Sequence, residues 1–215
     1  VVTRTDDVGV ANLLTTFYYD ELGNQVAIKA PTVDNSTWAV TRFVYDGYGR
    51  VTSEIRNCTS SGTTVPAAPE ACTGAGTKDA QTNLETTYSY DARGNRIRLT
   101  VADPAATNGT SLLTVTTQYA YDGADRLCRV VENATGSTNL QTLGNPCSDT
   151  TQTTTPAGTN ASTRYVYDAA GRMTSMVDAA AHTTSYAYDA LGRTTSRTDA
   201  LGATLYWKYD ELGRL

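Results

Sequence analysis

The chain has 215 residues, a formal net charge of −5 and an isoelectric point near 4.8. Such a mildly acidic surface lacks the clustered lysine and arginine that a nucleic-acid backbone demands, which excludes that class of partner. No run approaches about 18 consecutive apolar residues, so no membrane-spanning helix is encoded.

Charged residues make up 18% of the chain, fewer than the usual quarter. Thr, Ser, Ala, Asn and Gly take their place, a composition of strands and turns. Near the N-terminus, Asp6-Asp7-Val8-Gly9 has turn chemistry. Phe17-Tyr18-Tyr19-Asp20 follows, with Gly23 and Asn24 behind it. The pattern returns as Phe43-Val44-Tyr45-Asp46, then Gly49 and Arg50. The two aromatic residues stand two apart and so share one face of a strand. The Asp accepts backbone N–H groups inside a turn, and the Gly closes a three-residue hairpin loop in the left-handed conformation. A return strand is predicted next, with Val51, Ser53 and Ile55 on one face.

Residues 58–86 lack the aromatic pattern and are rich in Thr, Ser, Gly, Pro and Ala. They read as an insertion, a loop projecting from one edge of the array. The third copy is Tyr88-Ser89-Tyr90-Asp91 with Gly94 and Asn95. In its return strand Ile97, Leu99 and Val101 alternate with Arg96, Arg98 and Thr100. Asp103-Pro104-Ala105-Ala106 then occupies the place of a second turn. The fourth copy, Tyr119-Ala120-Tyr121-Asp122, carries Asp125 where the others have Gly, then Arg126. Asp enters the left-handed region more readily than most side chains. A second insertion, again read as a projecting loop, covers residues 128–163.

Three copies close the chain: Tyr165-Val166-Tyr167-Asp168 with Gly171 and Arg172, Tyr186-Ala187-Tyr188-Asp189 with Gly192 and Arg193, and Trp207-Lys208-Tyr209-Asp210 with Gly213 and Arg214. Between them Asp178-Ala179-Ala180-Ala181 and Asp199-Ala200-Leu201-Gly202 mark second turns. The minimal unit is therefore two strands and two turns. Seven copies hold 14 of the chain's 18 aromatic residues in their first and third slots. The expected fold is all-β, one array of antiparallel β-hairpins over residues 1–215. Half-units at both ends imply a fragment of a longer chain, with further repeats or further copies as its neighbours.

These segments, above all Tyr165–Arg172 and Tyr186–Arg193, resemble the YD repeat of the rearrangement-hotspot (RHS) family. The resemblance covers the chain outside the two insertions. It implies a β-sheet that spirals into a shell, as in the B and C components of insecticidal toxin complexes, in bacterial wall-associated proteins and in teneurins. It further implies a secreted or cell-surface protein that encloses or displays other polypeptide, such as a toxin segment. The Asp-Pro-x-Gly self-cleavage signature of many bacterial members has no match here, since Asp103-Pro104 lacks the Gly.

The candidate site residues are mostly structural. Asp20, Asp46, Asp91, Asp122, Asp168, Asp189 and Asp210, with Gly23, Gly49, Gly94, Gly171, Gly192 and Gly213, recur in every unit or nearly so, and repetition points to turn formation. No Asp-x-Asp-x-Asp-Gly spacing suggests calcium. Each insertion holds two of the four cysteines, so local pairs Cys58–Cys72 and Cys128–Cys147 are expected, with free thiols, a metal or another pairing as the alternatives. Such disulfides imply an oxidising compartment. His182, the single histidine, reads as an exposed residue just past a turn, with no catalytic constellation around it. The reading is of a protein that is not an enzyme and uses no cofactor. The second reading is an adhesive array whose aromatic face binds carbohydrate. Five Asn-x-Ser/Thr sites, such as Asn57-Cys58-Thr59, are expected by chance in this composition and are given no role.

Overall fold

The computed structural model describes residues 2–7, 14–31, 38–58, 82–107, 112–134, 140, 143–148 and 160–215. Among these no α-helix occurs, and 14 strands are hydrogen-bonded to their neighbours in chain order. The chain falls into two compact units, residues 1–90 with 98–115, and residues 91–97 with 116–215.

The first unit contains β1 (Val2–Asp7), β2 (Leu14–Tyr19), β3 (Gln25–Pro31), β4 (Trp38–Tyr45), β5 (Val51–Arg56) and β6 (Leu84–Tyr90). It also holds most of β7 (Arg96–Thr107) and the start of β8 (Leu112–Tyr121). The second unit contains the rest of β8, then β9 (Leu127–Glu132), β10 (Ala161–Tyr167), β11 (Met173–Val177), β12 (Thr183–Tyr188), β13 (Thr194–Thr198) and β14 (Thr204–Tyr206).

Two register rules recur. Within a hairpin the Tyr before the turn pairs with the residue just beyond the loop, as in Tyr45↔Val51 and Tyr188↔Thr194, and a one-residue bulge follows. That bulge lies in the return strand, one step past the turn that the left-handed residue closes. Between repeats the residue seven beyond one turn Asp pairs with the residue four before the next. Ser175↔Ser185 and Ser196↔Tyr206 follow this rule across short turns. Ser53↔Thr87 and Arg129↔Arg164 follow it across the two insertions. The insertions therefore leave the pairing unchanged.

Each insertion leaves the sheet through the same neck. Asn57 and Asn133 take φ of 49° and 48°, and Asn83 and Asn160 take 52° and 57°. The Asn83 N–H donates to the Asn57 carbonyl and the Asn160 N–H to the Asn133 carbonyl, each at 3.0 Å. Asn tolerates this left-handed backbone through local bonding of its amide. Strand pairing runs further than composition suggests: Leu84–Thr86 belong to β6, Cys128–Glu132 to β9 and Ala161–Thr163 to β10.

The expected projecting loops need correction for the second insertion. Leu140 is fully buried against Ala120, Cys128 and Val131, with Leu143 and Cys147 packed beside it. Its N–H donates to Gln118 Oε1 at 2.8 Å, and the Pro146 carbonyl accepts from Arg129 Nη1 at 3.5 Å. The described part of this segment thus lies on the sheet as a plug. The cause is its pair of leucines, which gain by leaving water in an otherwise polar run, with Cys147 tied to β9. In the first unit the buried cluster is Val40, Ile55 and Cys58. Asp103-Pro104-Ala105-Ala106 is likewise not a turn but lies inside β7. Ala106 offers little incentive for the left-handed closure, whereas Asn108-Gly109, the stronger turn dipeptide, comes shortly after it in sequence, outside the described residues.

The φ values of the six motif glycines lie between 75° and 97°. At Gly192 an added Cβ would come no nearer than 3.9 Å to its closest neighbour, the Arg172 side chain. Its role is therefore conformational. Gly192→Val is expected to destabilise the second unit by about 1–3 kcal/mol in urea denaturation, and Gly192→Asn by clearly less. Equal losses for the two variants would show that side-chain contact, not backbone conformation, limits this position.

Candidate functional site

The turn around Asp168 shows what the motif builds. The Asp168 N–H donates to the Arg172 carbonyl at 2.9 Å, and the Gly171 N–H to the Asp168 carbonyl at 3.0 Å. Oδ1 accepts the Ala170 and Arg172 N–H groups, both at 2.9 Å. Oδ2 accepts Arg172 Nε at 2.7 Å. The same carboxylate pattern recurs at Asp46, Asp122, Asp189 and Asp210, each with its own arginine. Asp20 and Asp91 hold Asn24 and Asn95 instead.

The bonds from the arginines favour the charged carboxylate. In Asp168 and Asp210 the backbone N–H of Arg172 or Arg214 is the main cause that holds the carboxyl below its ordinary value, against some desolvation and with help from the guanidinium. In Asp46, Asp122 and Asp189 desolvation is the largest single influence and works upward. The bonds from Arg50, Arg126 and Arg193 together outweigh it.

Four of the five arginines fixed in this way also reach the next repeat. Each guanidinium lies over the third-slot tyrosine ring of the following hairpin. Arg50 is 4.6 Å from the Tyr90 centroid, Arg126 4.8 Å from Tyr167, Arg172 4.9 Å from Tyr188 and Arg193 4.5 Å from Tyr209. These are cation–π distances. Arg126 Nη1 also donates to the Asp168 carbonyl at 3.1 Å, and Arg172 Nη1 to the Asp189 carbonyl at 3.0 Å.

The tyrosine answers in the opposite direction. Its hydroxyl donates to the first carbonyl of the preceding return strand: Tyr45 to Gln25, Tyr90 to Val51, Tyr121 to Arg96, Tyr167 to Leu127, Tyr188 to Met173 and Tyr209 to Thr194, at 2.7–3.1 Å. Every such bond ties one repeat to the next. The sequence places the tyrosines on one face of a strand and reveals neither contact. The signal was the Arg that follows the turn Gly, which had no assigned partner.

Over residues 3–215 the sequence matches the family described as Teneurin YD-shell. The chain belongs to that family. Similar solved structures include TcdB2-TccC3-Cdc42, at 16% identity, covering 93% of this chain and 9% of that one, with a TM-score of 0.45. TcdB2-TccC3 without its hypervariable C-terminal region gives 13% identity, 94% and 10% coverage and a TM-score of 0.46. This chain thus spans about a tenth of the length of those chains. No curated protein matches it.

In this YD-shell chain the remaining candidate residues are placed as follows. Cys128 and Cys147 form a disulfide with Cα atoms 5.3 Å apart. Cys58 is buried and disulfide-bonded, while Cys72 lies outside the described residues. Asp125 takes φ of 59° in the Gly slot. His182 stands in the arginine slot of the second turn, with Nδ1 3.1 Å from Asp178 Oδ2, and is largely exposed. Ser185 pairs in register with Ser175, and no hydrogen bond joins it to His182 among the described residues. Nor do the described residues include a group of three or more His, Cys, Asp or Glu placed to hold a metal.

The turn carboxylates make stability acid-sensitive. In Asp46, Asp122, Asp168, Asp189 and Asp210 the folded pKa lies below the ordinary 3.8, so the stability they supply is fully present above that value and is lost as pH falls through the depressed one. The urea midpoint is expected to hold from pH 7 down to about pH 5 and to fall below about pH 4. Asp168→Asn should lower the midpoint at pH 7 and reduce its pH dependence. A variant as stable as the parent at neutral pH would remove the carboxylate from this role.

Proposed function

We propose that this chain is a structural segment of an RHS-type shell or spiral in a secreted or cell-surface protein, where it encloses or displays other polypeptide such as a toxin. It works as a wall and not as an enzyme. The observation that carries this reading is the interlocked junction between repeats, which keeps one register whatever is inserted between the strands. A wall needs such a rule: units can be added without redesigning a core, because each contacts only its neighbours. The Cys128–Cys147 disulfide fits an oxidising compartment.

The reading as a carbohydrate-binding face has less support. In four repeats a guanidinium already lies over the third-slot ring. The hydroxyls that would bond a sugar are spent on backbone carbonyls.

The test is limited proteolysis of the natural full-length product that contains these repeats, with electron microscopy of the same sample. The expected result is a hollow β-walled particle in which non-repeat polypeptide is cut far more slowly than when it is expressed alone. Equal cleavage rates, with no enclosed volume seen, would contradict enclosure.

A further inference from the structure

The four arginine-capped junctions define what a third-slot tyrosine ring accepts: a guanidinium at 4.5–4.9 Å. The junction between the third and fourth hairpins breaks the pattern. Its turn fixes Asn95 and not arginine, and Asn95 Nδ2 stops at Asp91 Oδ2 (3.1 Å) and Asp125 Oδ1 (2.9 Å). The shorter side chain cannot reach over Tyr121. Arg96 turns instead to the first-slot ring of Tyr119, at 5.0 Å.

A cavity of about 370 Å³ opens at this junction, inside the second unit. Its lining includes Ile97, Tyr121 and the turn residues Asp91, Arg93, Asp122 and Asp125. Arg93 does not fill it as a free cation, because its Nη1 is held by Asp125 Oδ1 at 3.0 Å and by the Gly123 carbonyl at 3.2 Å. Asp125 also adds a carboxylate that no other repeat has, since the six other turns carry Gly in this slot. The Asn24 junction also lacks arginine, but the next turn there has Gly49 and no added carboxylate.

We propose that this cavity is a binding site for a guanidinium supplied from outside the repeat, namely an arginine side chain of another polypeptide. The ligand takes the place that Arg126 takes over Tyr167: its plane lies on the Tyr121 ring and its N–H groups face Asp125. Three features converge on that class of ligand. The ring seat selects a flat cation, the cavity gives it room, and Asp125, whose Oδ1 already holds Arg93 and Asn95, offers its second oxygen for charge-assisted bonds. A neutral side chain gains only the ring contact. The site goes beyond a purely structural wall, and its existence does not depend on whether the array forms a closed shell.

The experiment uses the intact 215-residue chain, amide NMR and N-acetyl-arginine amide as the probe, with N-acetyl-citrulline amide as the neutral isostere. Saturable shifts are expected for amides of residues 91–97 and 121–125 with the arginine probe and not with the citrulline one. Asn95→Arg supplies the missing guanidinium in cis and should weaken the probe by about tenfold or more. Asp125→Gly, which restores the residue of the other turns, should weaken it as well while the hairpin stays folded. Shifts that fail to saturate, equal shifts with citrulline, or affinity unchanged in Asn95→Arg would each overturn the proposal.

Discussion

The carboxylate at the head of each turn holds two things at once. One oxygen gathers the backbone N–H groups of its own loop, which fixes the turn. In five of the seven motif turns the other grips the Nε of an arginine four residues on, as Asp168 grips Arg172 at 2.7 Å. A free arginine carries large rotamer entropy, and a surface ion pair that must restrain it contributes little. Here the backbone and the carboxylate share the restraint, so the guanidinium is already aimed when the next hairpin arrives. The tyrosine of that hairpin closes the arrangement by bonding backwards, Tyr188 to the Met173 carbonyl at 2.7 Å. Local turn chemistry thereby becomes the adhesive between repeats.

This arrangement explains a sheet with few fully buried side chains. Among the described residues the buried hydrophobic ones are mostly small or medium: Ala27, Val40, Ile55, Cys58, Ala102, Ala120, Cys128, Val131 and Leu140. The aromatic rings of the central hairpins stay half-buried, with polar contacts at their edges. Larger burial occurs where an insertion folds back on the sheet, as with Leu140 over Ala120 and Val131. The disulfide between Cys128 and Cys147 ties that plug to the strand it covers.

Much of this was legible in the sequence. The aromatic spacing and the Asp-x-x-Gly loop gave the hairpins, their antiparallel pairing and the left-handed closure, including Asp125 in the odd position. The register between repeats was less visible, because insertions stretch the spacing along the chain without changing the pairing in space. The plug was hidden for a different reason. Leu140 and Leu143 sit in a polar run without periodicity, and only the sheet beneath them shows why they are apolar. Asp103-Pro104 misled because an Asp at the expected interval looks like a turn, while what closes these turns is the left-handed residue three positions later. The contacts of Arg with Tyr in the next repeat lie 16 to 41 residues apart in sequence, and those of Tyr with the preceding return strand 15 to 40, as in Arg126 with Tyr167 and Tyr167 with Leu127. A repeat unit read alone cannot reveal them.

If the arginine of one repeat and the tyrosine of the next act as a unit, their contributions to stability cannot be independent. The direct measurement is a double-mutant cycle on Arg172→Ala and Tyr188→Leu, followed by urea denaturation. The account predicts a coupling energy of about 0.5–1 kcal/mol, with the double variant losing less than the sum of the two single ones. Strict additivity would contradict it, and would leave the repeats joined by strand pairing alone.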